Sequence, residues 1–372
     1  MTDRVNRHGI VEMEEQRIDN KIDLKGLSLE EMERVVSDHG EPVYRGRQLF
    51  HWIYARDAHT FAEMTDLPIA LRARLAEHTA IGALTPLAKE ISRDGTRKYL
   101  LGCTDERQIE TVLIPDERRL TACLSTQVGC ALACAFCLTG KMGFVRHLQS
   151  GEVVDQVLAL QRDLQPGERI GNLVLMGMGE PLHNYDATVK ALTILSHPMG
   201  LAYPPRRITL STVGLVPEIV RLGQSGLGVN LAVSLHASTD ELRDRLVPIN
   251  RRYPLKELMV ALRAYPLPSR RRLTFEYVLI DGVNDRSEDA RELVKLLRGL
   301  RCKVNLLSLN EAPAIPFRRP SQERVEMFQR ILRSADILAT IRESRGLDIS
   351  AACGLLATEP DQKSLDTAGY LA

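Results

Sequence analysis

From residue 121 onward, short apolar runs alternate with longer amphipathic segments. Six apolar runs have the length and composition of strands, and they begin at Thr121, Asn172, Arg207, Asn230, Arg272 and Lys303. The amphipathic segments predict helices, among them 151–164, 185–197, 287–300 and a final helix over 322–345. Strands that alternate with helices in this way form a parallel sheet with helices outside it. We therefore predict an α/β fold with six βα units, an arrangement that can close into a barrel.

The remaining segments follow other patterns, which divide the chain into five parts. We predict a disordered tail over 1–20, a small helical accessory domain over 21–80, a β-hairpin extension over 81–115, the barrel over 116–348, and a C-terminal segment over 349–372. The extension is predicted from two β-rich runs and from Asp94-Gly95, a hairpin turn signal.

The helical domain contains a helix start and a mixture of basic and aromatic residues. Ser28 and Glu31 have capping-box spacing, and Gly40 can end the helix that they begin. Arginines and aromatic residues then alternate between Tyr44 and Arg74. Such a mixture can hold phosphates and stack bases. It also suits a small bundle with an aromatic core and a solvated arginine face, but for the whole module we favour RNA contact.

The composition excludes some classes of function. With 44% hydrophobic and 26% charged residues among 372, the chain is typical of a soluble globular protein. Its net charge of +1 means that RNA binding would depend on local basic patches. The charged N-terminal stretch has no apolar signal-type core, and an odd number of cysteines, seven, argues against a fixed disulfide framework. We predict a cytoplasmic protein with no membrane partner.

Three of the cysteines, Cys130, Cys134 and Cys137, form a C-x3-C-x2-C triplet. At about 3.3–3.6 Å per residue, neighbouring thiols are at most roughly 10–14 Å apart, so they can share one metal site. Three thiolates suit a 4Fe-4S cluster with one iron open to substrate. A structural zinc site normally has four ligands, and His147 is badly spaced to be the fourth. Zinc, or three spare buried cysteines, are the less favoured alternatives.

Further unusual residues follow the predicted strands. Barrels of this type carry their chemistry at the C-terminal ends of the strands. The first strand is followed by the triplet, and later strands are followed by Gly177–Pro181, Ser211, Ser234–His236 and Asn310. Each residue alone has an ordinary structural explanation, but their shared placement favours a common ligand.

Ordered motifs cover nearly the whole chain, from about Leu24 to Leu356. They read IETVLIP, C-x6-C-x3-C-x2-C, GKMGF, MGMGEPLHNYD, ITLSTVG, SLHA, FEYVLIDGVND and AACG. In order and spacing they resemble the RlmN/Cfr family of radical S-adenosylmethionine (radical SAM) RNA methyltransferases, and Phe136 supplies the aromatic residue that is typical before the last cysteine. The resemblance implies a partial (β/α)6 radical SAM barrel, one 4Fe-4S cluster, and two molecules of S-adenosylmethionine (SAM) per turnover.

The resemblance also implies a role for each matching residue. Cys130, Cys134 and Cys137 would hold the cluster, and SAM would contact Gly179, Glu180, Ser211, Ser234, Leu235, His236 and Asn310. Cys353 would carry the methyl group as S-methylcysteine, Cys123 would be the resolving thiol that forms a transient disulfide with it, and Glu110 would be the proton acceptor. Met176 would either orient these cysteines or be an ordinary strand-end core residue. Cys103 and Cys302 read as small buried hydrophobes.

The implied activity is methylation of carbon 2 of adenosine, in the peptidyl-transferase loop of 23S rRNA and also in tRNA at adenosine 37. An external electron donor would be a second partner, and we expect a monomer. Two alternatives stay open: the Cfr-type methylation of carbon 8, which gives antibiotic resistance, and a non-catalytic RNA-binding or ribosome-assembly protein with a structural cluster.

Two positions depart from the family pattern. Leu355 stands where the family usually has Gln, and Glu311 stands where it usually has Pro, which fits a divergent branch of the family with a shifted RNA target. Three groups of arginines are candidates for gripping the RNA backbone, although each also suits plain solvated surface: 251–252, 270–272 and 318–319.

Overall fold

The structure is a computed structural model that describes residues 17–18, 21–116 and 119–358. Most of the predicted N-terminal tail, and the C-terminal segment from residue 359, lie outside the described residues. Arg17–Ile18 form a short strand, β1, that pairs antiparallel with β2 (Lys21–Asp23), so the prediction of disorder is wrong for these two residues.

Three helices follow β2: α1 (Leu29–Asp38), α2 (Tyr44–Tyr54) and α3 (Ile69–His78). The predicted capping box is confirmed, because the Ser28 side chain accepts from the Glu31 backbone and Glu31 accepts from the Ser28 backbone. Gly40 follows this helix at φ +74°, a conformation that favours glycine. After α3, strand β3 (Thr79–Ala80) pairs with β2 and closes a small sheet.

The aromatic residues of α2 divide between the two interpretations of this region. Phe50 and Tyr54 are buried core residues that contact each other edge to face. Tyr44 remains 49% exposed, with the Arg45 guanidinium 4.8 Å from its ring centre. Phe50 and Tyr54 therefore belong to the core of the helical bundle, whereas Tyr44 and Arg45 form a basic and aromatic surface.

A ten-stranded sheet organises the rest of the described chain. Its strands are β4 (Thr85–Ile91), β5 (Arg97–Gly102), β6 (Gln108–Asp116), β7 (Arg119–Cys123), β10 (Ile170–Leu175), β11 (Ile208–Thr212), β12 (Asn230–Ser234), β13 (Leu273–Leu279), β14 (Cys302–Ser308) and β15 (Leu338–Arg342), and a separate hairpin is formed by β8 (Gln127–Gly129) and β9 (Phe144–His147). The order of the strands across the sheet is β15-β14-β13-β12-β11-β10-β7-β6-β5-β4.

The strands from β7 to β15 within this sheet are parallel, whereas β4, β5 and β6 form an antiparallel meander that adds to β7. The helices of this part are α4 (Leu138–Lys141), α5 (Ser150–Arg162), α6 (Tyr185–Ser196), α7 (Val216–Gln224), α8 (Asp240–Leu246), α9 (Leu255–Ala264), α10 (Ser287–Leu297) and α11 (Gln322–Ser334). The α/β barrel and the β extension are thus confirmed.

The predicted final helix is wrong in its last part. Helix α11 ends at Ser334, and Asp336 then adopts φ +59°, which a helix cannot continue through. The next residues form β15, a seventh parallel strand beside β14. The alternating pattern of Leu338–Arg342 fits a strand, and pairing with β14 selects it over the helix.

The sides of the sheet differ in chemistry. Tyr277 of β13 packs against Phe328 of α11, with ring centres 5.2 Å apart, so this side of β13 faces the helices. Because side chains alternate along a strand, Glu276 faces the barrel interior. There the Asn305 side chain donates a hydrogen bond to the Glu276 carboxylate at 2.8 Å.

Among the described residues, none of the helices is long and apolar enough to cross a membrane.

Candidate active site at the mouth of the barrel

The three cysteines of the triplet lie in the loop between β8 and α4. Gly129 precedes the loop at φ +72°, and a Cβ there would lie 2.0 Å from the carbonyl oxygen of Gly143. Only glycine therefore permits this approach, which lets the Cys130 amide donate to the same carbonyl at 2.7 Å. Within the loop, the Cys137 amide donates to the Cys134 carbonyl at 3.2 Å. The hairpin β8–β9 thus holds the cysteine loop in place.

The thiols of this loop influence one another. Burial raises the pKa of Cys134 well above its ordinary value, and the neighbouring thiols Cys137 and Cys130 raise it further. Burial likewise raises the pKa of Cys130 to about 12. In the described part of the chain, no three Cys, His, Asp or Glu side chains converge closely enough to ligate a single metal ion. A 4Fe-4S cluster does not require such convergence, since each thiolate binds a different iron, so the donor set fits a cluster.

Phe136 and His236 connect the cysteine loop to the end of β12. Their rings lie edge to face with centres 4.7 Å apart. The His236 backbone has φ +60°, and its Nδ1 accepts from the Val278 amide at 3.0 Å. Burial lowers the pKa of His236 to about 3, so the ring is neutral and its proton is on Nε2. His236 therefore presents one N–H donor in a fixed orientation.

The neighbouring strand ends place further polar groups together. The Glu180 carboxylate is buried and accepts from the amides of Leu182 at 3.0 Å and Val213 at 2.9 Å. Burial raises the pKa of Glu180 to about 7, although these hydrogen bonds oppose the shift. Gly179 has φ +99°, and a Cβ there would lie 2.5 Å from Gln127 Cβ.

On the next two strands, the hydroxyls of Ser211 and Ser234 lie 3.3 Å apart. The Leu235 amide donates to the Glu276 carbonyl at 3.0 Å. The expectation that residues at successive strand ends come together is met for these positions.

Arg243 of α8 is a residue that the sequence reasoning missed. It is fully buried and donates to the backbone carbonyls of Val213, Ser234 and Leu235, and also to the Asn250 side chain. Within the described residues it has no carboxylate at ion-pair distance, and burial lowers its pKa to about 10. A lone arginine in a charged helical run reads as solvated, so only the fold reveals that it joins two strand ends.

Four hydrogen bonds hold the described part of the C-terminal segment, up to residue 358, at the barrel mouth. The Asn310 side chain donates to the Cys353 carbonyl at 3.0 Å. The Leu138 amide donates to Gly354 O at 2.8 Å, and the Thr139 hydroxyl donates to Leu356 O at 2.6 Å. Finally, the Ala357 amide donates to the Glu110 carboxylate at 2.8 Å. These bonds connect the segment to the end of β14, the cysteine loop and β6.

Cys353 and Cys123 lie within electrostatic range of each other at this mouth. The Cys353 side chain is exposed, yet desolvation by the surrounding protein raises its pKa to about 11, and Glu276 and Cys137 raise it further. A thiol that is both accessible and surrounded lies in a cleft. Cys123, at the end of β7, is buried; burial raises its pKa, Cys353 raises it further, and the Met176 backbone amide hydrogen-bonds to its thiol.

Glu110 of β6 lies at the far end of the C-terminal segment. Its carboxylate is buried and pairs with Lys98 Nζ at 3.1 Å. Burial raises the pKa of Glu110, whereas Lys98 opposes this shift. Lys98 also pairs with the exposed Glu90 at 3.0 Å, so this cation is shared between two carboxylates.

Other sequence candidates lie elsewhere or have structural roles. Arginines 270–272 directly precede β13, so they lie at the opposite edge of the barrel from the candidate site. Leu355 is buried in the core, and the Glu311 side chain accepts from the Arg319 amide at 2.9 Å. Cys103 and Cys302 are buried, as predicted.

Known proteins share both the sequence and this architecture. Residues 22–81 match the ribosomal RNA large subunit methyltransferase N-terminal domain, and residues 124–297 match the radical SAM superfamily. The chain is 52% identical over 352 residues to the dual-specificity RNA methyltransferase RlmN of Geobacter sulfurreducens, covering 95% of this chain and 96% of that protein. The RlmN of Syntrophobacter fumaroxidans is also 52% identical, over 90% of this chain and 98% of its own.

This chain belongs to the RlmN family of radical SAM RNA methyltransferases. The crystal structure of a radical SAM methyltransferase from Sphaerobacter thermophilus agrees, with a TM-score of 0.85 and 51% identity over 90% of this chain and 98% of that one. Membership of the RlmN family confirms the resemblance seen in the sequence. It makes the chain an RNA methyltransferase and implies a 4Fe-4S cluster and SAM.

Proposed function

We propose that this protein methylates carbon 2 of adenosine in the peptidyl-transferase loop of 23S rRNA, and in tRNA at adenosine 37. The observation that supports the proposal is that the segment carrying Cys353 is hydrogen-bonded to the cysteine loop and to Glu110, with Cys353 in electrostatic range of Cys123. The dual specificity stated in the names of the relatives supports two RNA classes. We place the reaction in the cytoplasm, with the enzyme acting as a monomer.

Cys130, Cys134 and Cys137 would hold one 4Fe-4S cluster. When bound, the cluster would supply the electron that splits SAM into methionine and a 5′-deoxyadenosyl radical, and it would take back the unpaired electron that the later RNA adduct carries. Glu180, Ser211, Ser234, His236 and Asn310 would bind SAM, together with the backbone at Gly179 and Leu235, because these groups end successive strands around the cysteine loop.

Cys353 has the central role in the chemistry. Its thiolate attacks the methyl carbon of one SAM. A carbon–sulfur bond forms on the protein as the methyl–sulfonium bond breaks, and S-adenosylhomocysteine leaves. A second SAM is then needed to remove a hydrogen atom from that methyl group. This route is required because the amidine carbon of adenine is electrophilic and cannot itself attack SAM. The carbon radical on Cys353 adds to it, which links RNA to protein.

Glu110 and Cys123 complete the turnover. Glu110 accepts the ring proton, for which a carboxylate with a raised pKa is suited. Cys123 attacks the sulfur of Cys353, so a disulfide forms as the bond from that sulfur to the methylene carbon breaks. The carbon keeps the bonding electrons and takes a proton, which releases the RNA with a methyl group. An external electron donor then reduces the disulfide. The burial of Cys123 keeps its thiol protonated and protected until Cys353 carries the adduct.

Nucleoside mass spectrometry decides between this proposal and methylation of carbon 8. RNA is taken from a methylase-null host expressing the chain, and its nucleosides are compared with standards for both isomers. We expect 2-methyladenosine in 23S rRNA and tRNA. The carbon 8 isomer would replace the proposed regiochemistry, and the absence of both would remove the proposed function. Full function in triple cysteine variants would instead favour a non-catalytic RNA-binding protein.

A further inference from the structure

Two histidines and a phenylalanine form an exposed cluster beside the cysteine loop. Phe144 begins β9, His147 ends it, and His183 follows the Glu180 motif. The two imidazole centres are 5.0 Å apart, and the Phe144 ring centre lies 4.9 Å from His147 and 5.6 Å from His183. All three side chains are exposed, with Phe144 at 41%. We call these three residues the ring platform.

The hydrogen bonds of Gln127 fix the protonation of both histidines. Gln127 is fully buried, and its Oε1 accepts from the Glu180 amide at 2.8 Å. This bond fixes the orientation of the Gln127 amide, so the atom that faces the histidines is the nitrogen Nε2, which can only donate. That nitrogen lies 3.0 Å from Nδ1 of His147 and 3.1 Å from Nδ1 of His183. Both Nδ1 atoms accept, so each neutral ring carries its proton on Nε2.

The platform consequently has a defined chemistry. Each Nδ1 is directed to a buried amide while the ring itself is exposed, so each Nε2–H is left as a donor on the solvent side. Burial lowers the pKa of His147, and His183 lowers it further, which favours the neutral form. One exposed aromatic face thus lies beside two N–H donors.

We propose that the ring platform binds an unpaired RNA base next to the methylated adenosine, stacking it on Phe144 and donating to it from His147 and His183. Unstacked bases in RNA are recognised by aromatic stacking and by hydrogen bonds to their edges. Two donors require a base edge with two acceptors, such as N7 and O6 of guanine. The inference deepens the proposed function, since it rests on the active site being at this mouth.

The location supports a base that flanks the target. Gln127 bonds to Glu180 on one side and to the platform on the other, and it lies three residues before Cys130. A target adenosine that leaves its stack to enter the mouth exposes the faces of its neighbours. The platform would hold such a neighbour and so favour the flipped conformation.

Fluorescence anisotropy of the reconstituted enzyme with an RNA hairpin tests this proposal. The hairpin contains the target adenosine, and each flanking nucleotide is replaced in turn by an abasic residue. We expect one abasic position to weaken binding by about tenfold. Phe144→Leu, which removes the aromatic face but keeps an apolar side chain, should weaken binding of the intact hairpin similarly and should not distinguish the two RNAs, because both changes remove the same contact.

The histidines are tested by replacement with asparagine, whose side-chain oxygen lies near the position of Nδ1 and can accept a hydrogen bond as Nδ1 does. His147→Asn with His183→Asn keeps a partner for Gln127 and removes both outward donors, so weaker binding is expected. His147→Gln with His183→Gln returns an amide near Nε2 and should restore part of the affinity. Val260→Ala, at an exposed apolar position on α9, serves as the control and should bind as wild type.

Two readouts separate the platform from the rest of the site. Cleavage of SAM without RNA, and the melting temperature, should be unchanged in the platform variants. Wild-type affinity in both Phe144→Leu and the double asparagine variant would overturn the proposal. Loss of SAM cleavage in the platform variants would also overturn it, because it would show that the platform only supports the cysteine loop. If the wild-type enzyme methylates no RNA, the proposed function fails instead.

Discussion

Asn310 and Cys353 are joined by a hydrogen bond of 3.0 Å from the asparagine side chain to the cysteine carbonyl, although 43 residues separate them. The Asn310 amide is itself oriented, because its oxygen accepts from the Ser344 hydroxyl at 2.7 Å. This bond fixes the segment that carries Cys353 to the C-terminal end of β14. It explains how a cysteine beyond the last strand reaches the barrel mouth.

The pair of thiols gives the most direct test of the proposed chemistry. Cys123→Ala should leave RNA covalently attached to Cys353, because no thiol remains to attack its sulfur. Denaturing electrophoresis with ribonuclease treatment would detect the adduct, and mass spectrometry of the wild-type protein should find a methyl group on Cys353. Cys302→Ala, at a buried cysteine at the start of β14, should turn over normally. Normal turnover by Cys123→Ala would contradict the mechanism.

The charges around Glu110 predict opposite shifts in pH dependence. Glu110 must be deprotonated to accept a proton, so activity falls as pH drops below its pKa. Lys98 lowers that pKa and Glu90 raises it. Lys98→Met should therefore move the acidic limb of kcat to higher pH, and Glu90→Gln should move it to lower pH. Single-turnover rates across pH measure both shifts; a limb that stays in place in both variants would exclude Glu110 as the base.

The backbone at Gly354 positions Cys353. This glycine has φ +85°, and a Cβ there would lie 3.1 Å from the Phe136 carbonyl. Gly354→Ala should cost about 1 kcal/mol of folding free energy and reduce the methylation rate by roughly 100-fold, since the thiol is displaced. Gly282→Ala has a similar φ of +66° but open space around it. It should show the same stability loss with normal activity; equal activities would show that the position of Cys353 is not critical.

Arg243 should control SAM affinity through the strand ends that it joins. Arg243→Lys keeps the charge but cannot reach the carbonyls of Val213, Ser234 and Leu235 together. We expect the dissociation constant for SAM to rise about tenfold in equilibrium dialysis of the reconstituted enzyme, in line with the lower end of the roughly 1.5–3 kcal/mol of a charged hydrogen bond. Arg245→Lys, at an exposed position on the same helix, is the control. Equal SAM affinity in the two variants would mean that Arg243 only supports the fold.

A buried ion pair joins the N-terminal domain to α5. Lys25 Nζ lies 2.7 Å from the Asp155 carboxylate, and each side chain is about 1% exposed. Lys25→Met leaves a buried carboxylate without its nearest cation, so urea denaturation should show a loss of about 3 kcal/mol. Lys295→Met removes an exposed pair with Glu292 and should cost about 0.5 kcal/mol or less. Similar losses in both variants would contradict this account.

The sequence by itself determined the local features of the fold. The capping box at Ser28, the hairpin turn at Asp94-Gly95 and the six core strands follow from short-range patterns, and the structure contains them. The cysteine triplet likewise fixes the donor set within one loop. The motif order also identified the family, because so many short motifs in one order are highly specific.

Only the tertiary structure decided which distant groups meet. Residues 338–342 read as the end of a helix, but pairing with β14 makes them a strand, since β hydrogen bonds depend on a neighbour that local sequence does not specify. In the same way, the fold buries Arg243 against strand ends and connects Gln127 to two histidines from separate segments. Such contacts arise from packing between elements, whereas sequence spacing reports only what lies within one element.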